Sequence, residues 1–249
     1  MKKTEGKDIQ FDEKFIELNI SPLFKGEIHL WCISLNSDSA FFERCKAALT
    51  DAERARISYY NFKQVQDGYV ISQGGLRLLL SFYLNSEPAA IQLNKHEKGK
   101  PFTSDDPSLC FNMSNSGNYV VYIFSRAGEV GIDIEKIRTL PDLDELIDKN
   151  FSSKEKIFIC ENSESKGKRF FKFWTVKEAY LKAIGEGMRL APDNLEFTFA
   201  NDRYELDAVK GIFEQEDWFF ADLHISDDYA GTFVYKDMLA TISEINFIK

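Results

Sequence analysis

Phe173-Trp174-Thr175-Val176-Lys177-Glu178-Ala179-Tyr180-Leu181-Lys182-Ala183-Ile184-Gly185 is the stretch on which the reading of this chain turns. The run from Phe170 to Ile184 predicts the strongest helix of the second half, ended by Gly185 and Gly187, residues that accept the left-handed backbone of a helix end. On a helical wheel Phe170, Trp174, Tyr180, Leu181 and Ile184 cover one arc, and Glu178 and Lys182 lie together on its border, one turn apart. Two readings of that pair are open. A solvent-facing Glu-to-Lys pair at i, i+4 contributes only about 0.3–0.5 kcal/mol. Alternatively, Glu178 supplies a carboxylate ligand or a base, and Lys182 binds a phosphate. Lys177 falls inside the apolar arc, where an ammonium must snorkel or find a partner, and so hints at the edge of a site.

Gly131-Ile132-Asp133-Ile134-Glu135 is the second informative stretch. Read as a strand, it turns Val130, Ile132 and Ile134 to one face and Asp133 and Glu135 to the other, about 7 Å apart. Two carboxylates at i, i+2 can converge on a hard cation, and magnesium prefers such oxygen ligands while keeping positions for water and phosphate. The same five residues also fit an ordinary amphipathic strand with a solvated acidic face. The third element is Lys98-Gly99-Lys100-Pro101-Phe102 followed by Phe111-Asn112-Met113-Ser114-Asn115-Ser116-Gly117. A lysine on a loop fixed by glycine and proline can grip phosphate, and the hydroxyls and amide of a strand-to-strand turn can present donors to it. Both are also common loop compositions.

Working outward, residues 1–20 are charged and read as an N-terminal extension. Ile28–Leu35 reads as a buried strand, Asp38–Tyr60 as one helix, and Val70–Leu84 as a second helix with Leu76, Leu79, Leu80 and Tyr83 at i, i+3, i+4, i+7. Residues 94–106 read as a loop, and Leu109–Met113 and Asn118–Phe124 as short strands around a turn at Ser114–Gly117. Beyond a break at Ala127-Gly128 come a strand at Val130–Glu135 and a helix at Leu143–Asn150. A capping box of Ser152 and Glu155 follows, then a polar turn at 161–169, the long helix, and strand-like segments at 197–199, 218–225 and 231–235. Each half runs strand, helices, strands. The expectation is an α+β fold of two similar subdomains, 21–127 and 128–249, each a small mainly antiparallel sheet packed with helices, with the metal site in the second.

Composition bounds the function. The chain has 249 residues, 44% hydrophobic, enough for a sizeable core. Its net charge of -9 argues against a global nucleic-acid binder. Cys32, Cys45, Cys110 and Cys160 form no CxxC pair, which argues against zinc and reads as free thiols in a reducing cytosol. The N-terminus lacks an apolar secretory core, and no window reaches the 18 apolar residues of a membrane span, so a soluble cytoplasmic protein is expected. Lys154, Lys156, Lys166, Lys168, Arg169 and Lys172 form a basic stretch beside the candidate site, read either as a docking surface for an acidic partner or as a solvated polar turn.

In this order and spacing, KGKPF, FNMSNSG, GIDIE and WTVKEAYLKAIGEG resemble the 4′-phosphopantetheinyl transferases of the surfactin-synthetase-activating (Sfp) type, over roughly Asp51 to Leu190. The length is similar to that two-subdomain, pseudo-dimeric class, for which a monomer suffices. The resemblance implies transfer of the phosphopantetheine arm of coenzyme A to a serine of an apo acyl- or peptidyl-carrier protein, releasing adenosine 3′,5′-bisphosphate. It implies Mg²⁺ held by Asp133, Glu135 and Glu178, with Glu178 also able to take the serine proton and Lys182 on the pyrophosphate. It assigns Lys100, Pro101, Ser114, Asn115, Asp133, Lys182, Arg54 and Arg56 to coenzyme A. Two departures stand out: Asn115 occupies a position that is often histidine, and Glu53 occupies one where a lysine is expected. Two other functions are weighed against this one, a Mg²⁺-dependent phosphohydrolase and a non-catalytic module that binds coenzyme A or a carrier protein.

Overall fold

In a computed structural model, residues 21–186, 190–200, 203–209, 218–236 and 240–248 are described; the proposed extension 1–20 and Gly187 lie outside them. The chain divides into two compact units, one comprising residues up to Leu23 with Ser37–Gln92, the other Phe24–Asn36 with Leu93 onward. This partition by compactness differs from a boundary at residue 127.

The first unit is helical among its described residues. Helix α1 (Ser39–Ala48) starts where the Asp38 side chain accepts the Phe41 N–H at 2.8 Å, helix α2 (Asp51–Arg56) starts at Thr50, and helix α3 (Lys63–Leu84) ends at Asn85, whose φ is 47°. The single helix expected over 38–60 is therefore broken. Leu49 and Thr50 are extended, because the Thr50 hydroxyl and the Glu53 carboxylate satisfy each other's backbone N–H groups in a capping box. Gly74 of α3 lies directly against α1: a Cβ there would stand 2.2 Å from the Cys45 carbonyl oxygen.

The second unit carries the sheets. Strands β1 (Glu27–Ser34), β4 (Cys110–Ser116), β5 (Tyr119–Ser125) and β11 (Thr241–Ile248) form one sheet in the order β11-β1-β5-β4, antiparallel except for the β1–β11 pair. Strands β6 (Val130–Lys136), β9 (Phe219–Asp222) and β10 (Tyr229–Tyr235) form an antiparallel sheet in the order β6-β10-β9. Two hairpins complete the set, β2 (Leu93–Lys95) with β3 (Pro101–Thr103) and β7 (Leu195–Ala200) with β8 (Arg203–Val209). Helices α4 (Leu143–Asn150), α5 (Ser153–Cys160) and α6 (Lys166–Ala183) follow β6. The architecture is α+β with small, mainly antiparallel sheets, as the sequence pattern predicts.

The two faces of β6 explain where the site lies. Val130, Ile132 and Ile134 are buried in a core with Ile28, Leu30, Val121 and Ile123. Gly131, Asp133 and Glu135 alternate to the other face. There α6 lies so close that a Cβ on Gly131 would stand 2.0 Å from the Ala179 carbonyl oxygen. On the same face Thr232, directly opposite Asp133 in the β6–β10 register, meets Thr175 of α6 through a buried hydroxyl contact of 2.9 Å. The apolar side of α6 is buried in a second core with Phe151, Ile159, Phe197 and Val234. A glycine at 131 is thus what lets the helix approach and bring Glu178 and Lys182 to the acidic strand.

Candidate active site

Asp133 is the centre of the site and is only 5% exposed. Its Oδ1 accepts two hydrogen bonds, from Ser114 Oγ on β4 and from Lys182 Nζ on α6, each 2.7 Å long. Its Oδ2 is buried with no hydrogen-bond partner among the described residues. Burial pushes the Asp133 carboxyl above the usual carboxylate range, against the pull of Lys182 and Ser114. Glu178, half-buried one turn before Lys182 on α6, makes no hydrogen bond among the described residues. Its carboxyl is also raised, first by burial and then by repulsion from Asp133, with Lys182 opposing and Glu135 adding a little. Glu135 accepts from Ser116 Oγ at 2.8 Å and from Arg138 Nη1 at 3.2 Å. Two carboxylates on β6 and one on α6 therefore repel one another, with Lys182 opposing the repulsion at Asp133 and Glu178.

The donor set suits a divalent cation. A buried aspartate oxygen and a glutamate, both without a hydrogen bond among the described residues, offer the oxygens a hard cation satisfies. Among the described residues no three Asp, Glu, His or Cys side chains already stand together as a metal-binding cluster. Lys182 bonds to Asp133, and Ser116 and Arg138 bond to Glu135.

Residues 36–126 match the family described as 4′-phosphopantetheinyl transferase, N-terminal, and residues 129–234 match the 4′-phosphopantetheinyl transferase superfamily. The chain is 34% identical over 170 residues to the 4′-phosphopantetheinyl transferase HetI of Nostoc sp., covering 67% of this chain and 72% of that one. The chain belongs to the 4′-phosphopantetheinyl transferase superfamily. It is 37% identical over 141 residues to the 4′-phosphopantetheinyl transferase gsp of Aneurinibacillus migulanus, covering 55% of this chain and 56% of that one. It is 25% identical over 217 residues to the L-aminoadipate-semialdehyde dehydrogenase-phosphopantetheinyl transferase of Xenopus laevis, covering 80% and 70%.

Within this transferase chain the other expected site residues are placed as follows. Lys100, at the start of the β3 hairpin strand beside Pro101, donates to the Ala183 carbonyl at 2.6 Å and pairs with Glu129. It thus caps the C-terminal end of α6, where the helix dipole is negative. A cavity of about 530 Å³ opens beside it, lined by His96, Lys98, Glu129, Gly185 and Trp218 among others. Ser114 belongs to strand β4 and not to a turn, which is why its hydroxyl reaches Asp133. Asn115, the next residue, is exposed and alternates away from the Ser114 face, so it does not join the carboxylates. Arg54 and Arg56 are in the other unit. Arg54 pairs with Asp51 at 2.7 Å and bonds the Leu49 carbonyl, and Arg56 is exposed. Glu53, where a lysine was expected, caps α2 and pairs at 2.6 Å with the buried Arg77.

One reading is corrected. Lys177 is not a site edge. It is fully buried and donates to Glu155 at 2.7 Å and to the carbonyls of Asn150, Pro192 and Leu195 at 2.9–3.0 Å, with its charge 4.6 Å from the Phe151 ring centre. The basic stretch, read either as a docking surface or as a solvated polar turn, makes local ion pairs that fit both readings. Lys154 pairs with Glu196, Lys156 with Asp148, Lys166 with Asp144, Arg169 with Glu161 and Lys172 with Asp222. Sequence reasoning missed Arg138 and the part played by Ser116. The available signal was the shared i, i+2 spacing of Ser114 and Ser116 with Asp133 and Glu135.

Proposed function

We propose that this chain transfers the 4′-phosphopantetheine arm of coenzyme A to a serine of an apo acyl- or peptidyl-carrier protein, with Mg²⁺ in the site, acting in the cytoplasm as a single chain. The observation that carries the reading is Asp133, buried with one oxygen pinned by Ser114 and Lys182 and the other without a donor. Asp133, Glu135 and Glu178 would hold the metal. When bound, it neutralises charge on the pyrophosphate and polarises the bond to the leaving group.

The residues then divide the work. Lys182, with its side chain 27% exposed, is close enough to the surface to turn from Asp133 to a pyrophosphate oxygen. The raised carboxyl of Glu178 makes it a stronger base than an ordinary carboxylate, as suits a proton acceptor. The carrier serine oxygen forms a bond to the phosphorus that carries the pantetheine arm. The bond from that phosphorus to the bridging oxygen breaks, and adenosine 3′,5′-bisphosphate leaves with the electron pair while the serine proton passes to Glu178. The cavity beside Lys100 accommodates the nucleotide end, with Lys98 and Lys100 supplying positive charge.

The test is label transfer from pantetheine-labelled coenzyme A to a panel of purified apo-carrier proteins, with and without chelator. Transfer that requires a divalent cation supports the reading. Hydrolysis of coenzyme A without acceptor, or no transfer to any carrier, removes it.

A further inference from the structure

We propose that Ser116 is a positioning residue that sets the Glu135 carboxylate as a divalent-cation ligand; this rests on the metal reading given above. The geometry fixes the direction of its hydroxyl. The Lys136 backbone N–H donates to Ser116 Oγ at 3.0 Å, so that oxygen is already an acceptor, and its proton is directed to Glu135 Oε2 at 2.8 Å. Arg138 donates to the same Oε2 at 3.2 Å, leaving Oε1 without a hydrogen bond among the described residues. Asp133 repeats the pattern, with a serine and a cation both on Oδ1 and nothing on Oδ2. Two serines two residues apart on β4 thus meet two acids two residues apart on β6. Each serine holds one carboxylate oxygen, and the other has no hydrogen bond among the described residues.

The turn that follows Ser116 is fastened to the same strands. Gly117 has φ 57°, and a Cβ there would stand 2.4 Å from the Tyr229 hydroxyl, so the turn lies directly on β10. The Asn118 N–H donates to that hydroxyl at 2.9 Å, and Tyr119 meets the Tyr229 ring edge-on at 5.2 Å. A turn held at this many points keeps Ser116 in register with Glu135. Groups that orient a ligand without touching the metal are worth about 10–100-fold in metal affinity.

The experiment measures Mn²⁺ binding to the full chain by electron paramagnetic resonance, without coenzyme A or carrier, beside thermal melting. Ser116→Ala is expected to weaken Mn²⁺ binding by about 10-fold or more with the melting temperature nearly kept. Ser116→Thr, which retains the hydroxyl, should restore affinity, and Ser116→Cys, a weak donor of similar size, should not. If Ser116→Ala does not fold, the contrast between Thr and Cys decides. Affinity equal to wild type in Ser116→Ala, or equal affinity in the Thr and Cys variants, overturns the inference and leaves the metal site standing. No Mn²⁺ binding by the wild type removes the metal reading itself.

Discussion

Lys177 and Lys182 lie on the same helix, each 2.7 Å from a buried carboxylate, yet the two pairs are built to opposite ends. Around Lys177 the polar groups are saturated: the ammonium has one carboxylate and three carbonyls, and Glu155 also accepts the Ser152 and Phe197 N–H groups. Around Lys182 they are not. Asp133 keeps a buried oxygen unpaired, Glu178 has no hydrogen bond, and both carboxyls are raised. A closed cluster fastens the helix to the α4–α5 junction and the β7 entry. An open one leaves carboxylate oxygens without hydrogen bonds among the described residues.

The comparison is sharpened first at the closed end. Lys177→Met keeps the volume but leaves the buried Glu155 charge with backbone N–H groups and no counter-ion, so urea denaturation should show a loss of about 3–5 kcal/mol. A loss under about 1 kcal/mol would mean the cluster is not the fastening described here. At the open end the effect should fall on turnover instead. Asp133→Asn is expected to cut transfer by about 10²-fold or more while its denaturation midpoint stays near that of wild type. A large fall in stability would erase the contrast between the two pairs. Gly131→Ala tests the approach of α6 to β6. The added methyl meets the Ala179 carbonyl, overpacking costs about 1–3 kcal/mol, and turnover should fall further than stability because Glu178 and Lys182 move with the helix.

The smallest effect is a pH dependence. A carboxyl raised by folding holds its proton in the folded chain after the unfolded chain has released it, so its contribution to stability is present at low pH and lost as pH rises. In chelator, Glu178→Gln should match wild type near pH 4 and become the more stable of the two toward about pH 8. Saturating Mg²⁺ should reverse that order. An order that Mg²⁺ does not change would count against Glu178 as a ligand.

Local chemistry was legible in the sequence. The Ser152–Glu155 capping box, the two faces of β6 and the Gly185 end of α6 follow from neighbours a few residues apart. What escaped depends on partners far along the chain. Strand β11 finds its place by parallel pairing with β1 near the other end of the sequence. Ser114 and Ser116 read as turn residues by composition, but continuing the hairpin with Tyr119–Val121 keeps them in a strand. Lys177 was misread because its four acceptors come from Asn150, Glu155, Pro192 and Leu195, which no helical wheel displays. Asp133, Glu178 and Lys182 were singled out because a strand period and a helix period each place charge at an apolar border, and the fold brings Lys182 onto Asp133.

The most direct test of the central claim is intact-mass spectrometry of a panel of apo-carrier proteins after incubation with this chain, coenzyme A and Mg²⁺. The account predicts that a carrier gains one phosphopantetheine group on a serine, and that chelation or Asp133→Ala abolishes the gain. A gain of equal size and rate with Asp133→Ala, or no gain on any carrier, would contradict it.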